Sequence, residues 1–158
     1  MVHKINGVVQ AAAAFVYFKD KPGNAHVMLG QHKRGDGYGF PAGNIEHELE
    51  QPIDAALREL EEKTNLDLRN KKHPITGKPL RNIEQSVIND GDIDIHVAYV
   101  DFGTLSEGDI RRLHAKIRPQ LDLGGVQLVS QNDLKNYNIF YRNLEIINKQ
   151  IQSLQVAK

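Results

Sequence analysis

The sequence predicts an α/β or α+β sandwich, and three observations carry that prediction. Residues 8–18 are an almost unbroken apolar run, as expected of a strand covered on both faces. Ile53, Ala56, Leu57, Leu60 and Thr64 recur at three- and four-residue spacing, as do Phe140, Leu144, Ile147, Ile151 and Leu154. Each set makes one core-facing helical stripe. Shorter strand patterns alternate with these helices, so the elements stack as layers around one core.

Within residues 8–18 the alanines alone would permit a helix, but the aromatic and β-branched ends and the turn that follows favour a strand. Residues 19–24, Lys-Asp-Lys-Pro-Gly-Asn, are a turn cluster, and 26–32 return as the second strand of a hairpin. Residues 33–37 lead out of it, with glycines that allow backbone to approach a ligand closely. Pro52 suits the first turn of the next helix.

Residues 67–82 lack periodicity and hold Arg69, Lys71, Lys72, Lys78 and Arg81. A connection of this length inside a compact domain is either functional or disordered. Without evident apolar anchors it is the segment expected to be cut first by proteases. Residues 83–88 and 93–100 read as strands joined by the tight turn Asn89-Asp90-Gly91-Asp92. A capped helix begins at Ser106, residues 126–129 make a short strand, and an amphipathic helix from Phe140 closes the chain. Internal repeats and low-complexity segments are absent.

The 158 residues suit a single domain spanning 1–158, with its core at about 7–155. Lys plus Arg equals Asp plus Glu at 20 each, so overall charge gives no case for nucleic acid or a membrane as the main partner. The absence of Cys excludes disulfides and thiolate chemistry. The first residues carry no signal-like apolar run, and no stretch approaches the ~20 apolar residues of a membrane span. A soluble cytoplasmic protein is expected, and a homodimer is compatible with it.

At ~100° per residue, Arg58, Glu59, Glu62 and Lys63 fall opposite or beside the core stripe of the first helix, on an exposed face. Glu59 and Glu62 are neighbours on that surface and would repel each other without a charge partner. A divalent cation would relieve this, since magnesium is held by one or two carboxylates together with substrate phosphates. A solvated face is the alternative, because Glu59 and Lys63 also make an ordinary i,i+4 pair.

Residues 43–66 resemble the Nudix box, Gly-x5-Glu-x7-Arg-Glu-U-x-Glu-Glu-x-Gly-U, where U is bulky and aliphatic. Glu50, seven intervening residues, Arg58-Glu59-Leu60-x-Glu62 and the closing Leu66 match it, and residues 37–46 are similar to the glycine-rich lead-in of that family. Three departures stand out. Gly43 and Glu50 are separated by six residues instead of five, Lys63 replaces the second Glu of the Glu-Glu pair, and Asn65 replaces Gly. Asn is the best non-glycine choice for a left-handed helix end.

The resemblance implies a mixed-sheet α/β/α sandwich and a hydrolase that uses Mg2+ or Mn2+ to cleave the pyrophosphate linkage of a nucleoside diphosphate derivative. It implies Glu59 as metal ligand and base, Arg58 as its orienting partner, Glu62 as a second ligand, Glu50 as support, and the Ala42 backbone carbonyl as an oxygen ligand. Gly43, Arg34 and Lys63 are the implied substrate contacts, Arg34 because the strand before it would end at the cleft. The missing Cys disfavours the isopentenyl diphosphate isomerase branch. A non-catalytic nucleotide or anion binder, with Lys63 on phosphate, is the alternative. Asp90, Asp92, Asp94, Asp101 and Glu107 are the later acids available to a metal, and the sequence does not choose among them.

Overall fold

The computed structural model describes residues 3–32, 37–118 and 123–156. The elements in chain order are β1 (Lys4–Ile5), β2 (Val8–Lys19), β3 (Ala25–His32), β4 (Tyr38–Gly39), β5 (Ala42–Asn44), α1 (Pro52–Thr64), β6 (Glu84–Asp90), β7 (Ile93–Thr104), α2 (Glu107–Lys116), β8 (Leu123–Ser130), a 3-10 turn (Gln131–Asn136) and α3 (Tyr141–Val156).

Strand β2 is the spine of one mixed sheet with the order β4-β3-β2-β7-β6, joined by β1 and β5 on β2 and by β8 on β3. It runs parallel to β7 and antiparallel to β1, β3 and β5. Alternation along β2 explains why its sequence is apolar throughout. Ala14, Val16 and Phe18 face one core with Leu57, Leu60, Leu66 and Leu113. Ala13, Phe15 and Tyr17 face the other with Phe40, Ile139 and Ile147. Helices α1 and α2 therefore cover one face and α3 the other, which makes the α/β/α sandwich.

The alanines have a specific use, since Ala12 packs with Ala55 and Ala56 in a small-residue seam that brings α1 close to the sheet. Helix α1 begins with Pro52 in its first turn and stops at Asn65, whose φ of 69° is left-handed. Its cap N–H donates to the Glu61 carbonyl. Asn65 thus takes the conformation expected of it.

Residues 67–82 differ from the expectation. The segment has apolar anchors: Leu68 is fully buried, and Ile75 and Leu80 pack against the α1-side core. His73 is also buried, with Nε2 donating to the Phe102 carbonyl at 3.1 Å and Nδ1 accepting from the Ile75 and Thr76 amides at 3.1 and 3.2 Å. Among the described residues, no helix is long and apolar enough to cross a membrane.

Candidate active site

The centre of the site is Arg58. Its Nε donates to Glu50 Oε2 at 2.7 Å and its Nη2 to Glu50 Oε1 at 3.1 Å, a two-pronged grip that fixes the guanidinium plane. Nη2 also donates to the Asn44 carbonyl at 3.1 Å. Nη1 turns to the other carboxylates, reaching Glu59 Oε1 at 2.9 Å, Glu46 Oε1 at 3.1 Å and both Glu62 oxygens at 3.3 Å. The charge partner that the sequence left out between Glu59 and Glu62 is therefore Arg58 itself.

Two site residues are not where the helical period put them. Glu59 is 6% exposed and Lys63 7%, so the supposed solvent face is covered. Over Glu59 the cover is β5, which pairs with β2 and lies against α1. A Cβ at Gly43 would stand 2.2–2.3 Å from the Glu59 carboxyl atoms. The carboxylate therefore occupies the space that only glycine leaves open. Glu62 is the more open of the pair, with 40% of its side chain exposed.

Ladder parity orients the backbone oxygens. The Ala14 amide donates to the Pro41 carbonyl and the Ile45 amide to that of Gln10, so by antiparallel alternation Ala42 and Asn44 turn their carbonyls away from β2. Asn44 spends its carbonyl on Arg58. Ala42 is in the same phase on the same edge.

The extra residue of the box is absorbed in a turn at 47–50, closed by the Glu50 amide on the His47 carbonyl at 3.1 Å. Leu49 is thrown out into solvent at 82% exposure, while Glu50 stays on Arg58. Hydrogen bonding to Arg58 holds the Glu50 carboxyl below its ordinary range. Burial pushes the Glu59 carboxyl up, opposed by the charges of Arg58 and Lys63.

Sequence reasoning left Glu46 out of the site, although it stands in the glycine-rich lead-in; the structure adds it on Arg58. Arg34 lies outside the described residues. Of the later acids, Asp94 is engaged by Gln10 and Asn89, and Asp101 by the Gly103 amide. Among the described residues, no group of three His, Asp or Glu is arranged to hold a metal ion.

A family model, the NUDIX domain, matches residues 9–141. The chain belongs to the Nudix family. No curated protein matches it in sequence, but solved Nudix structures do match in shape. A bifunctional NMN adenylyltransferase/ADP ribose pyrophosphatase from Francisella tularensis superposes with a TM-score of 0.69 at 20% identity, over 96% of this chain and 43% of that one. The chain thus spans less than half of that enzyme.

The NUDIX domain of Shewanella oneidensis NrtR, cocrystallised with ADP ribose, gives 0.65 at 16% identity over 95% and 90% of the two chains. A C. elegans Ap4A hydrolase gives 0.66 at 14% identity over 94% and 98%. At these identities the likeness establishes the fold. Within the Nudix box of this chain, the Arg-Glu pair, the Glu50 brace and the Gly43 seat are brought together, and Lys63 is the departure at its centre.

Proposed function

We propose that this Nudix chain is a divalent-cation-dependent hydrolase that cleaves the pyrophosphate linkage of a nucleoside diphosphate derivative. The observation that carries the reading is the seat of Glu59: a buried carboxylate laid against the Gly43 backbone and bonded by an arginine that Glu50 in turn immobilises. The family match and the nucleotide chemistry of the neighbours support it, including the Francisella tularensis enzyme crystallised with AMP and Mn ion.

The donor set fits magnesium or manganese. Glu59, Glu62 and the out-turned Ala42 carbonyl are hard oxygen donors, and phosphates and waters complete the shell that two carboxylates leave open. Once bound, such a cation neutralises phosphate charge and acidifies a water. The protein's own residues supply the rest. Arg58 bonds Glu59 through Oε1, which leaves Oε2 to accept a proton from the attacking water. Burial raises the pKa of that carboxyl, against the charges of Arg58 and Lys63. Gly43 and Lys63, with Arg34 from outside the described residues, are assigned to the substrate phosphates.

A second reading is favoured by one residue. Lys63 is buried beside Glu59 where the motif has a carboxylate, as suits a binder that grips phosphate without metal. Calorimetry and turnover of wild type and Lys63→Glu, with and without magnesium, separate the two. In a hydrolase the substitution tightens magnesium binding and keeps or raises turnover. In a binder it removes a charged contact of roughly 1.5–3 kcal/mol, weakening metal-free nucleotide binding by about tenfold or more without creating turnover. That second outcome would overturn the hydrolase reading.

A further inference from the structure

We propose that the cleft between residues 67–82 and the end of α2 is a second ligand site, which takes the phosphate of a small phosphorylated molecule. The cleft measures about 460 Å³ and lies where the end of α1, the segment after it and residues 115–118 meet. That volume is in the range of small-molecule sites. Gly43, Arg58, Glu59, Glu62 and Lys63 take no part in its lining, so it is separate from the site already described.

The charge of the cleft is one-sided. Lys72, Lys116 and Arg118 line it together with Asn65 and Asn70, and Asp67 is the acid among them. Asp67 is already neutralised, since its Oδ1 accepts from Arg69 Nε and its Oδ2 from Arg69 Nη2, both at 3.1 Å. Residues 67–82 and 111–118 together hold nine Lys or Arg and one acid, in a chain with 20 of each sign. Helix capping does not account for this. Lys116 and Arg118 would suit the C-terminus of α2, but Lys72 comes from another segment and stands at no helix end. The end carbonyls that would repel an anion are spent. That of Glu61 accepts from the Asn65 amide and that of Thr64 from the Arg118 amide, both at 2.8 Å, and that of Ala115 from Arg118 Nη1 at 2.7 Å.

The walls are fixed before any ligand arrives. Lys72 pairs with Pro79 in an isolated bridge. Its two neighbours are bonded as well: the Lys71 carbonyl accepts from the Leu80 amide and the His73 amide donates to the Lys78 carbonyl, both at 2.8 Å. Beneath them Leu68 and His73 are buried. On the other side, the Arg118 amide on Thr64 ties the end of α2 to the end of α1. A site held in this way spends little ordering entropy on binding. A phosphate monoester carries roughly 1.5–2 negative charges at pH 7 on three acceptor oxygens, more than a carboxylate, and so gains most from three cations. A cleft holds a small molecule, whereas a polynucleotide backbone asks for a continuous groove.

The test is calorimetric titration of the whole chain with AMP, pyrophosphate, adenosine and a short single-stranded oligonucleotide, in about 0.15 M salt and with a chelator in place of divalent cations. At that ionic strength exposed charges more than ~8 Å apart are largely screened, so a diffuse positive field contributes little. AMP and pyrophosphate should bind and adenosine should not. Lys72→Gln combined with Lys116→Gln should weaken AMP by about tenfold or more, the scale of a lost charged contact. Lys78→Gln combined with Arg81→Gln removes the same charge from residues off the lining, and should bind as wild type. Lys72→Gln alone, in an exposed position, should show a smaller loss of the same sign, and it carries the test if the double variant does not fold.

The site is overturned by absent binding of AMP and pyrophosphate in wild type, by equal loss in the Lys78 and Arg81 pair, or by binding of the oligonucleotide in place of AMP. Unchanged affinity in the Lys72 and Lys116 variants would also overturn it, because the phosphate would then be held elsewhere on the chain. With the cation chelated no turnover enters the readout, so the result stands apart from the hydrolase reading.

Discussion

At Glu59 stability and chemistry pull in opposite directions. Its carboxyl is buried on Gly43 and its pKa is raised by that burial. A carboxyl whose folded pKa lies above its unfolded value stabilises the fold at low pH and loses that contribution as pH rises through the folded pKa. At neutral pH the ionised form is therefore a cost to the fold. Glu59→Gln should leave the melting temperature unchanged or higher, because Arg58 keeps its grip on Glu50. Turnover should fall by about 100-fold or more, the range for loss of a general base. Thermal unfolding and initial rates on the same preparation check both, and a lowered melting temperature with retained turnover would contradict this role. Helical periodicity had made Glu59 and Lys63 solvent-facing, because the period shows which stripe meets the sheet but is blind to a strand arriving from elsewhere in the chain. The only local signal was Gly43, whose missing side chain makes the room.

Among the elements, α1 was the most legible, since Pro52 starts it, the Leu57 and Leu60 stripe faces the core and Asn65 stops it in the left-handed region. The short strands were not. Strand β1 has two residues, too few for a period, although Asn6 and Gly7, with φ of 50° and 82°, form the Asn-Gly turn that marks a hairpin. Strands β4 and β5 contain glycine and have only two and three residues. The segment 67–82 had looked unanchored because its polar residues hide one structural histidine. His73 accepts two amide bonds at Nδ1, so it must be neutral there, and burial lowers its pKa from 6.5. A group with a depressed folded pKa gives stability that is complete above its unfolded value and is lost as pH falls through the folded one. His73→Asn removes that titration and the bond to Phe102, which contributes about 1 kcal/mol. Wild type should be more stable than the variant at pH 7.5, and the gap should narrow steadily below pH 6.5. Unfolding curves for the two proteins that stay parallel across that range would show that His73 does not pin the segment as a neutral ring.

Across the whole molecule, one strand organises both cores, and the same strand carries β5 and with it the seat of the Glu59 carboxylate. This is why the fold class was readable from residues 8–18 and two helical stripes, while the site needed the tertiary structure. Helix α1 supplies Arg58, Glu59 and Glu62, the turn at 47–50 supplies Glu50, and β5 supplies Gly43 and the Ala42 carbonyl. The one-residue insertion is tolerated because Leu49 can leave for solvent while Glu50 keeps its place. We propose that these parts together hydrolyse a nucleotide-linked diphosphate when a divalent cation is present. The most direct measurement is product release from a panel of nucleoside diphosphate derivatives, ADP-ribose and Ap4A among them, with magnesium, with manganese, and with a chelator. The expected result is cleavage at the diphosphate of at least one member, dependent on the cation and lost in Glu59→Gln. Cation-independent cleavage, or no cleavage of any member by folded protein at saturating metal, would contradict the claim.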